Sequence, residues 1–551
     1  MVNIRMKSTL HRAILTASAF MIMCELSAQD SAASGSNIFI YTLVGIAVIL
    51  FFGMLINVAD NLIGIEAKQN NIDVDESGLQ FLPGLRHLFR GKTPAYVTGS
   101  PVTLLDKGHD ILLEGEAEGA VEDNFNITRV ALQPTSFLGL QPIPKLTVAV
   151  GDSVKAGDQI FYDKKMPEVA FVAPVSGEVI EVNRGAKRAI TEIVILADKE
   201  QQHRQFDVPD AHTADREALV NFLKESGAWT LLRQRPYNTV PSPDITPRDI
   251  FVSTFDTAPL APDSNLIVAG KEEAFQRGID VLSRMTDGGV HLGLNANGDA
   301  APADIFRNAN NASKRYFRGQ HPAGNVGVQI HHTAPVGGSD VVWTLGVQEV
   351  IALGNLFLTG QVDGTRVVAL VGAELNEPKY VRTYAGANIG ELLKDNLKQD
   401  NVRLISGDVL SGQQKSQNSY VNFYDDQLTV IEEGNYYELF GWLLPSSLRP
   451  TISNTFPNFL LPEVKFEADT NTHGERRAFV VTNDYEQVMP MDIYTQQLMK
   501  SIIINDIERM EGLGILEVVE EDVALCEFVC VSKQPLQQIL RQGLETMREQ
   551  S

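Results

Sequence analysis

The sequence predicts a multidomain α/β chain with one N-terminal transmembrane helix, and three observations carry that reading. An uncharged apolar run, IFIYTLVGIAVILFFGMLINV, fills 38–58. Short valine-rich segments separated by Gly-Asp turns occupy 151–183, the pattern of β-hairpins. Beyond Ala211, strand-like and helix-like stretches alternate, as in an open α/β sheet. A chain of 551 residues has room for about three or four domains of roughly 150 residues each.

Charge and cysteine usage remove whole classes of function. The formal net charge is −23, and no basic stripe offers the phosphate neutralisation that a nucleic-acid binder needs. Three cysteines exclude a disulfide scaffold. Cys526 and Cys530, near the C-terminus, point to a reducing compartment for the folded part.

The N-terminus reads as two apolar segments of different kinds. In 1–29, Arg5, Lys7 and Arg12 precede the apolar Ala13–Cys24, and small residues follow from Ser27. That is the layout of a secretory signal, with an uncleaved signal anchor as the alternative. The run 38–58 is long enough to cross a hydrocarbon core of about 30 Å. Asp30 lies before it, whereas Lys68, Arg86, Arg90 and Lys92 lie after it. The positive-inside rule therefore predicts a single-pass protein of the inner membrane with its bulk on the cytoplasmic side. Residues 59–99 form a juxtamembrane linker. Within it, 81–92 interleaves Phe81, Leu85 and Phe89 with Arg86, Arg90 and Lys92, which suits either an interfacial segment or a solvated linker.

The remaining chain divides by period. A β-rich domain covers 100–200, with turns marked by glycines such as Gly151, Gly157 and Gly177. An α/β domain covers 205–360: a helix ending before Pro236, strand-like DIFVSTFD and LIVAG, helix-like KEEAFQRGIDVLSRM, strand-like GVHLGL, then QEVIALGNLFLTG. A β-grasp-like pattern follows over 361–413, then an irregular β extension over 414–488. The C-terminus, 489–551, is helical.

Longer strings identify relatives. GDSVKAGDQIFYDKKMPEVAFVAPVSGEVIEVN (151–183) resembles half of a biotinyl/lipoyl-type barrel-sandwich domain. With PVSGEVIEVNRGAKRAI (174–190), ESGAWTLLRQRPYNTVP (225–241), DTAPLAPD (256–263), HPAGNVG (321–327), QEVIALGNLFLTG (348–360), ELFGWLLP (438–445), YEQVMPMDI (485–493) and EEDVALCEFVC (520–530), the chain resembles the A-subunit family of sodium-translocating NADH:quinone reductases. That family is similar to the C subunit of the Rnf complex and to the flavin subunit of complex I. The resemblance implies a barrel-sandwich domain, a complex I flavin-subunit-like α/β domain and an SLBB-like β-grasp domain. It implies a peripheral cytoplasmic-side component of a complex that couples NADH oxidation and quinone reduction to Na+ export. Partners B to F would carry FAD, an iron–sulfur centre, covalent FMN and riboflavin, so that this chain would be a scaffold without a redox cofactor. The N-terminal signal and helix lie outside the family pattern.

The chemistry-bearing residues are weighed against that picture. Carrier domains present one lysine at a hairpin tip, and counting back from Ala173-Pro174 places Met166 there, so Lys164 and Lys165 read as unmodified surface residues. Flavin-binding relatives use a glycine-rich phosphate turn. Here Gly227–Pro236 carries Trp229, Leu231 and Leu232 in place of glycines, which argues against flavin or NADH binding. Two thiolates, Cys526 and Cys530, close neither a four-iron cluster nor a zinc site. His321, His331 and His332 read as structural, the adjacent pair pointing to opposite faces of a strand, and no metal site is expected. Trp229, Arg233, Arg235 and Tyr237, with Phe137 and Leu140 in a proline-flanked loop, suit either a quinone headgroup or an intersubunit contact. The competing readings are a carrier-type module of a membrane transferase, an adaptor of another respiratory complex, and a stand-alone flavin dehydrogenase.

Overall fold

The computed structural model describes residues 36–69, 94–97 and 99–550, apart from 142, 212, 441–447, 454–455 and 461–462. The signal-like segment, the stretch 81–92 and most of ELFGWLLP lie outside the described residues. The chain separates into two units, 1–93 and 94–551.

The first unit contributes one helix, Ser36–Gln69, of 34 residues. No proline or charge interrupts 38–58. Tyr41, Leu43, Val44, Ile46, Ile49, Phe52 and Met54 are all exposed, and at 100° per residue these positions cover every side of the helix. The single membrane span expected over 38–58 is not supported: among the described residues, no helix is long and apolar enough to cross a membrane.

The second unit starts with two small facing sheets. One orders Arg129–Leu132, Ile190–Ala197, Gly177–Arg184 and Ser153–Val154, and the other Lys145–Leu146, Gln159–Asp163 and Met166–Val172. Alternating valines and isoleucines, among them Val179, Ile193 and Ile195, bury inward between them. Asp163 pairs with Met166 across the turn, so Lys164 and Lys165 occupy the hairpin tip and Met166 starts the returning strand. The count that placed Met166 at the tip is corrected by this pairing.

The α/β sheet runs in the order Val102–Leu104, Ser313–Arg318, Val290–Asn295, Asp249–Ser253, Val342–Leu345, Arg233–Arg235. All neighbours are parallel except the last strand. Two helices, Glu272–Leu282 and Val347–Thr359, pack together with glycines at their crossing. A Cβ on Gly354 would sit 1.7 Å from the Ala274 carbonyl oxygen, and one on Gly278 would sit 2.3 Å from that of Val350. LIVAG does not form a strand, because the Asp263 side chain caps Ser264–Val268 as a short helix by accepting from the Asn265 N–H. His331 and His332 likewise lie on a helix, Val326–Thr333, not on a strand.

The third sheet orders Gln413–Lys415, Val402–Ser406, Gln427–Glu432, Thr365–Val371, Lys379–Tyr384 and Glu118–Asp123. Val102–Leu104 and Glu118–Asp123, which the sequence assigns to the first β domain, thus complete the edges of two later sheets. The C-terminal helices are Tyr485–Val488, Thr495–Ile503, Ile507–Gly512, Glu520–Val529 and Leu536–Gln550. They enclose a core of their own around Leu498, Met499, Val523 and Leu540.

The glycine crossing gives a direct test. Gly354→Val forces a branched side chain into backbone and should destabilise the protein by about 3 kcal/mol, read as a lower urea midpoint at unchanged slope. An unchanged midpoint would contradict the close approach.

Candidate functional site

Three domains meet around Phe137. Its ring lies 4.9 Å from Phe171, 4.9 Å from Phe423, 5.7 Å from Tyr424 and 6.5 Å from Phe161, between ring centroids. Next to this cluster is a cavity of about 70 Å³, walled by Phe137, Phe171 and Val172 on one side and by Gly227, Leu231 and Leu356 on the other. Gly227 ends the helix Arg216–Ser226 in the left-handed region, at φ 77°, and its missing side chain lets the chain pass against Val172.

Charge gathers along one wall of the cavity. Gln348 and Glu349, in the first turn of the helix Val347–Thr359, both reach the strand Thr365–Val371. Gln348 exchanges two hydrogen bonds with the Val367 backbone, at 2.8 and 2.9 Å. Glu349 accepts from Arg366 Nη1 at 2.8 Å, with side chains only 6% and 8% exposed. The other guanidinium nitrogens donate to the Asp425 carbonyl at 2.9 Å and to that of Tyr424. Burial alone would raise the Glu349 carboxyl, but the Arg366 guanidinium outweighs it and holds the group below the usual carboxylate range. Desolvation pushes neighbouring Asp426 up to about 7, against the pull of Arg366.

This corner adjoins the switch point of the sheet, where strand Asp249–Ser253 has neighbours reached by opposite chain directions. Open α/β sheets bind ligands there, often phosphates at a helix N-terminus. Here the helix N-terminus meets the Glu349 carboxylate, and the three guanidinium nitrogens of Arg366 are engaged within the protein. Gln427 of the third sheet also donates to the Pro259 carbonyl, at 3.1 Å. These residues do not fit a flavin phosphate.

The six residues singled out from the sequence fall in different surroundings. Phe137 lines the cavity, and half-buried Leu140 packs on the same core. Arg233 lies 4.9 Å over the Tyr424 ring, whose hydroxyl donates to the Thr230 carbonyl at 2.5 Å. Trp229 points into the core rather than across a phosphate turn, edge-on to Trp343 at 5.2 Å and donating to the Pro241 carbonyl at 2.9 Å. Arg235 turns to the C-terminal helices, pairing with Glu521 at 2.7 Å and Asp522 at 3.2 Å. The Tyr237 carbonyl accepts from Arg541 at 3.0 Å. Glu349, Arg366 and Tyr424 went unrecognised in the sequence, although an acid and an arginine inside QEVIALGNLFLTG and TRVVALVG were the available signals.

Other candidate groups have internal partners. His321 Nδ1 meets Thr257 Oγ1 at 3.1 Å, His331 meets Glu517 at 2.9 Å, and His332 meets the Pro490 carbonyl at 2.6 Å. Cys526 and Cys530 are buried and free, with Cys530 Sγ 2.8 Å from the Tyr485 hydroxyl. Burial pushes the Cys526 thiol up, away from the thiolate a metal requires. Among the described residues, no group of three or more His, Cys, Asp or Glu is placed to hold a metal.

Comparison with known proteins places this architecture. Family models described as the NqrA N-terminal barrel-sandwich hybrid domain, the NqrA second alpha/beta domain and the NQRA C-terminal domain match 103–198, 214–362 and 367–417. The A subunit of the Na(+)-translocating NADH-quinone reductase of Vibrio atlanticus is 39% identical over 449 residues, covering 81% of this chain and 99% of the relative. The chain belongs to the NqrA family, the A subunits of Na(+)-translocating NADH-quinone reductases. The NqrA-family relative from Alcanivorax borkumensis is likewise 39% identical, over 80% of this chain and 98% of its own length. The one from Yersinia pestis bv. Antiqua is 38% identical, over 81% and 99%. A solved NAD+-reducing NiFe hydrogenase aligns at 11% identity with a TM-score of 0.35, over 62% of this chain and 64% of that one, a likeness that supports no argument. The family resemblance drawn from the strings between 151 and 530 is thereby borne out. All three family matches begin after residue 102.

Arg366 gives the sharpest test of the corner in this NqrA-family chain. Arg366→Met leaves a buried carboxylate unpaired and should cost about 3–5 kcal/mol at pH 7. In the unsubstituted protein the depressed Glu349 value contributes stability above the ordinary carboxylate range, which fades as pH falls through the folded value. In the variant the unpaired group takes up a proton instead, so the deficit should shrink towards about pH 5. Urea titrations at both pH values check this, and a deficit independent of pH would contradict it.

Proposed function

We propose that this chain is the peripheral NqrA component of a sodium-pumping NADH:quinone oxidoreductase, on the cytoplasmic side of the inner membrane. The observation that carries this reading is the match at 39% identity over 99% of an NqrA-family relative. NADH oxidation, quinone reduction and Na+ export belong to the assembled complex. On family resemblance, FAD, FMN, riboflavin and the iron–sulfur centre reside in partners B to F. This chain binds none of them and holds the cytoplasmic assembly in shape, as the engaged charges at its switch point favour.

Two finer readings follow from particular residues. The helix Ser36–Gln69 tethers the chain to the membrane, because its described apolar side chains are exposed on every side. Quinone, in this reading, meets the chain along the loop of Phe137 and Leu140, beside Arg233. Trp229 and Arg235 already have internal partners, and Tyr237 lies with the C-terminal helices.

Membrane vesicles lacking this chain should lose sodium-stimulated quinone reduction by NADH and regain it with the full chain; sodium dependence without the chain would defeat the proposal. A version lacking 1–93 should be retained several-fold less on carbonate-washed membranes, and equal retention would count against the tether. A photoreactive quinone analogue should label 132–140, whereas labelling confined to partner proteins would sink the quinone contact.

A further inference from the structure

The C-terminal helices meet the α/β domain across one buried guanidinium that serves two carboxylates. Arg235, in the edge strand Arg233–Arg235, donates to Glu521 Oε1 at 2.7 Å and to Asp522 Oδ2 at 3.2 Å. Both acids lie in the first turn of the helix Glu520–Val529. The Arg235 and Asp522 side chains are 4% and 0% exposed, whereas Glu521 keeps 32%. Two carboxylates on one guanidinium leave a negative charge in excess, and the shorter bond goes to Glu521. Asp522 Oδ2 also accepts the Val519 N–H at 3.0 Å, but Oδ1 has no hydrogen-bond partner among the described residues. A buried carboxylate in that condition is costly as an anion.

Space decides what can neutralise it. Asp522 rests on the backbone of Gly327, in the helix Val326–Thr333, where a Cβ would sit 2.4 Å from Oδ1. Oδ1 is sealed from solvent, and among the described residues no group of three or more His, Cys, Asp or Glu is placed to hold a metal. A proton is the cation that fits.

The other charges around the joint are accounted for. On the same helix Glu520 is taken up by Arg541 at 2.6 Å, and Cys526 is buried one turn further on. Asn325, before the helix of Gly327, donates to the Glu521 carbonyl at 3.0 Å. Glu517 is turned to His331 at 2.9 Å. Asp256 and His321 feel the charges of Glu521 and Asp408. Burial pushes the Asp522 carboxyl up to about 6, with Glu521 adding to the rise and Arg235 pulling against it.

We propose that Asp522 is a proton-binding latch between the α/β domain and the C-terminal helices: docked against Gly327 it takes up a proton, and the joint tightens in mildly acidic solution. A docked value above the ordinary carboxylate value of about 4 stabilises docking fully below that ordinary value. The gain is lost as pH rises through about 6.

Hydrogen exchange of the 520–529 amides in the full chain, held in mild detergent and corrected for intrinsic rates, tests the inference. Asp522→Asn keeps the shape and cannot titrate. The ratio of protection in the unsubstituted protein to that in this variant should be about tenfold larger at pH 5 than at pH 7. Comparison with the variant isolates this group, because desolvation also pushes Asp256 up to about 6. Glu521→Gln leaves Arg235 to Asp522 alone, so that the carboxylate stays charged, and its ratio should show the same tenfold change. A ratio equal at the two pH values for either variant, or one that shrinks towards pH 5, would overturn the latch.

Discussion

The buried ion pair between Glu349 and Arg366 is the constraint on which the arrangement of this protein depends. It joins the first turn of a helix from the α/β sheet to the first residues of a strand in the next sheet, and Arg366 extends the link to residues 424 and 425. Two charges removed from water are tolerable only when they meet and their remaining hydrogen-bonding capacity is met too. The guanidinium satisfies that condition through its three nitrogens, so the two sheets have one low-energy relation. Arg235 repeats the device towards the C-terminal helices through Glu521 and Asp522. Arg541, paired with Glu520 and the Tyr237 carbonyl, reinforces it.

This use of charge bears on function. An open α/β sheet offers a ligand position at its switch point, with a helix N-terminus ready for an anion. Here a carboxylate from the same helix takes up that favourable field, and its arginine partner fixes a neighbouring domain. The polar groups at this switch point are thus turned to joining domains. The Phe137 cluster brings the barrel-sandwich domain into the same corner through Phe423 and Tyr424.

Local pattern made much of this legible. Valine and isoleucine alternation between glycine turns gave the barrel-sandwich strands, and the helical period beyond Ala211 gave a helix, but it ends at left-handed Gly227 rather than before Pro236, and Arg233–Arg235 is a strand paired with Val342–Leu345. Errors arose where a distant partner decides. Val102–Leu104 and Glu118–Asp123 read as part of the first β domain, yet their pairing partners lie in strands Ser313–Arg318 and Lys379–Tyr384. LIVAG is rich in β-branched residues and suggested a strand, but the upstream Asp263 cap outweighed that preference. The hairpin tip was misplaced because register follows cross-strand pairing rather than a count from Pro174. Trp229 stood at a position where a small residue was expected, and only the left-handed turn at Gly227 shows that its ring enters the core. Glu349 and Arg366 were invisible as a pair, since no local period links an acid in a helix to an arginine in the following strand.

The central claim is membership of a sodium-pumping complex in which this chain holds structure rather than a redox centre. It is tested most directly by purifying the tagged full-length chain from its native membrane in mild detergent and assaying the preparation. The account predicts co-purifying partner proteins that carry flavin, and NADH:quinone activity stimulated by sodium. A lone, colourless and inactive chain would contradict it, leaving the family likeness as common ancestry without the shared assembly.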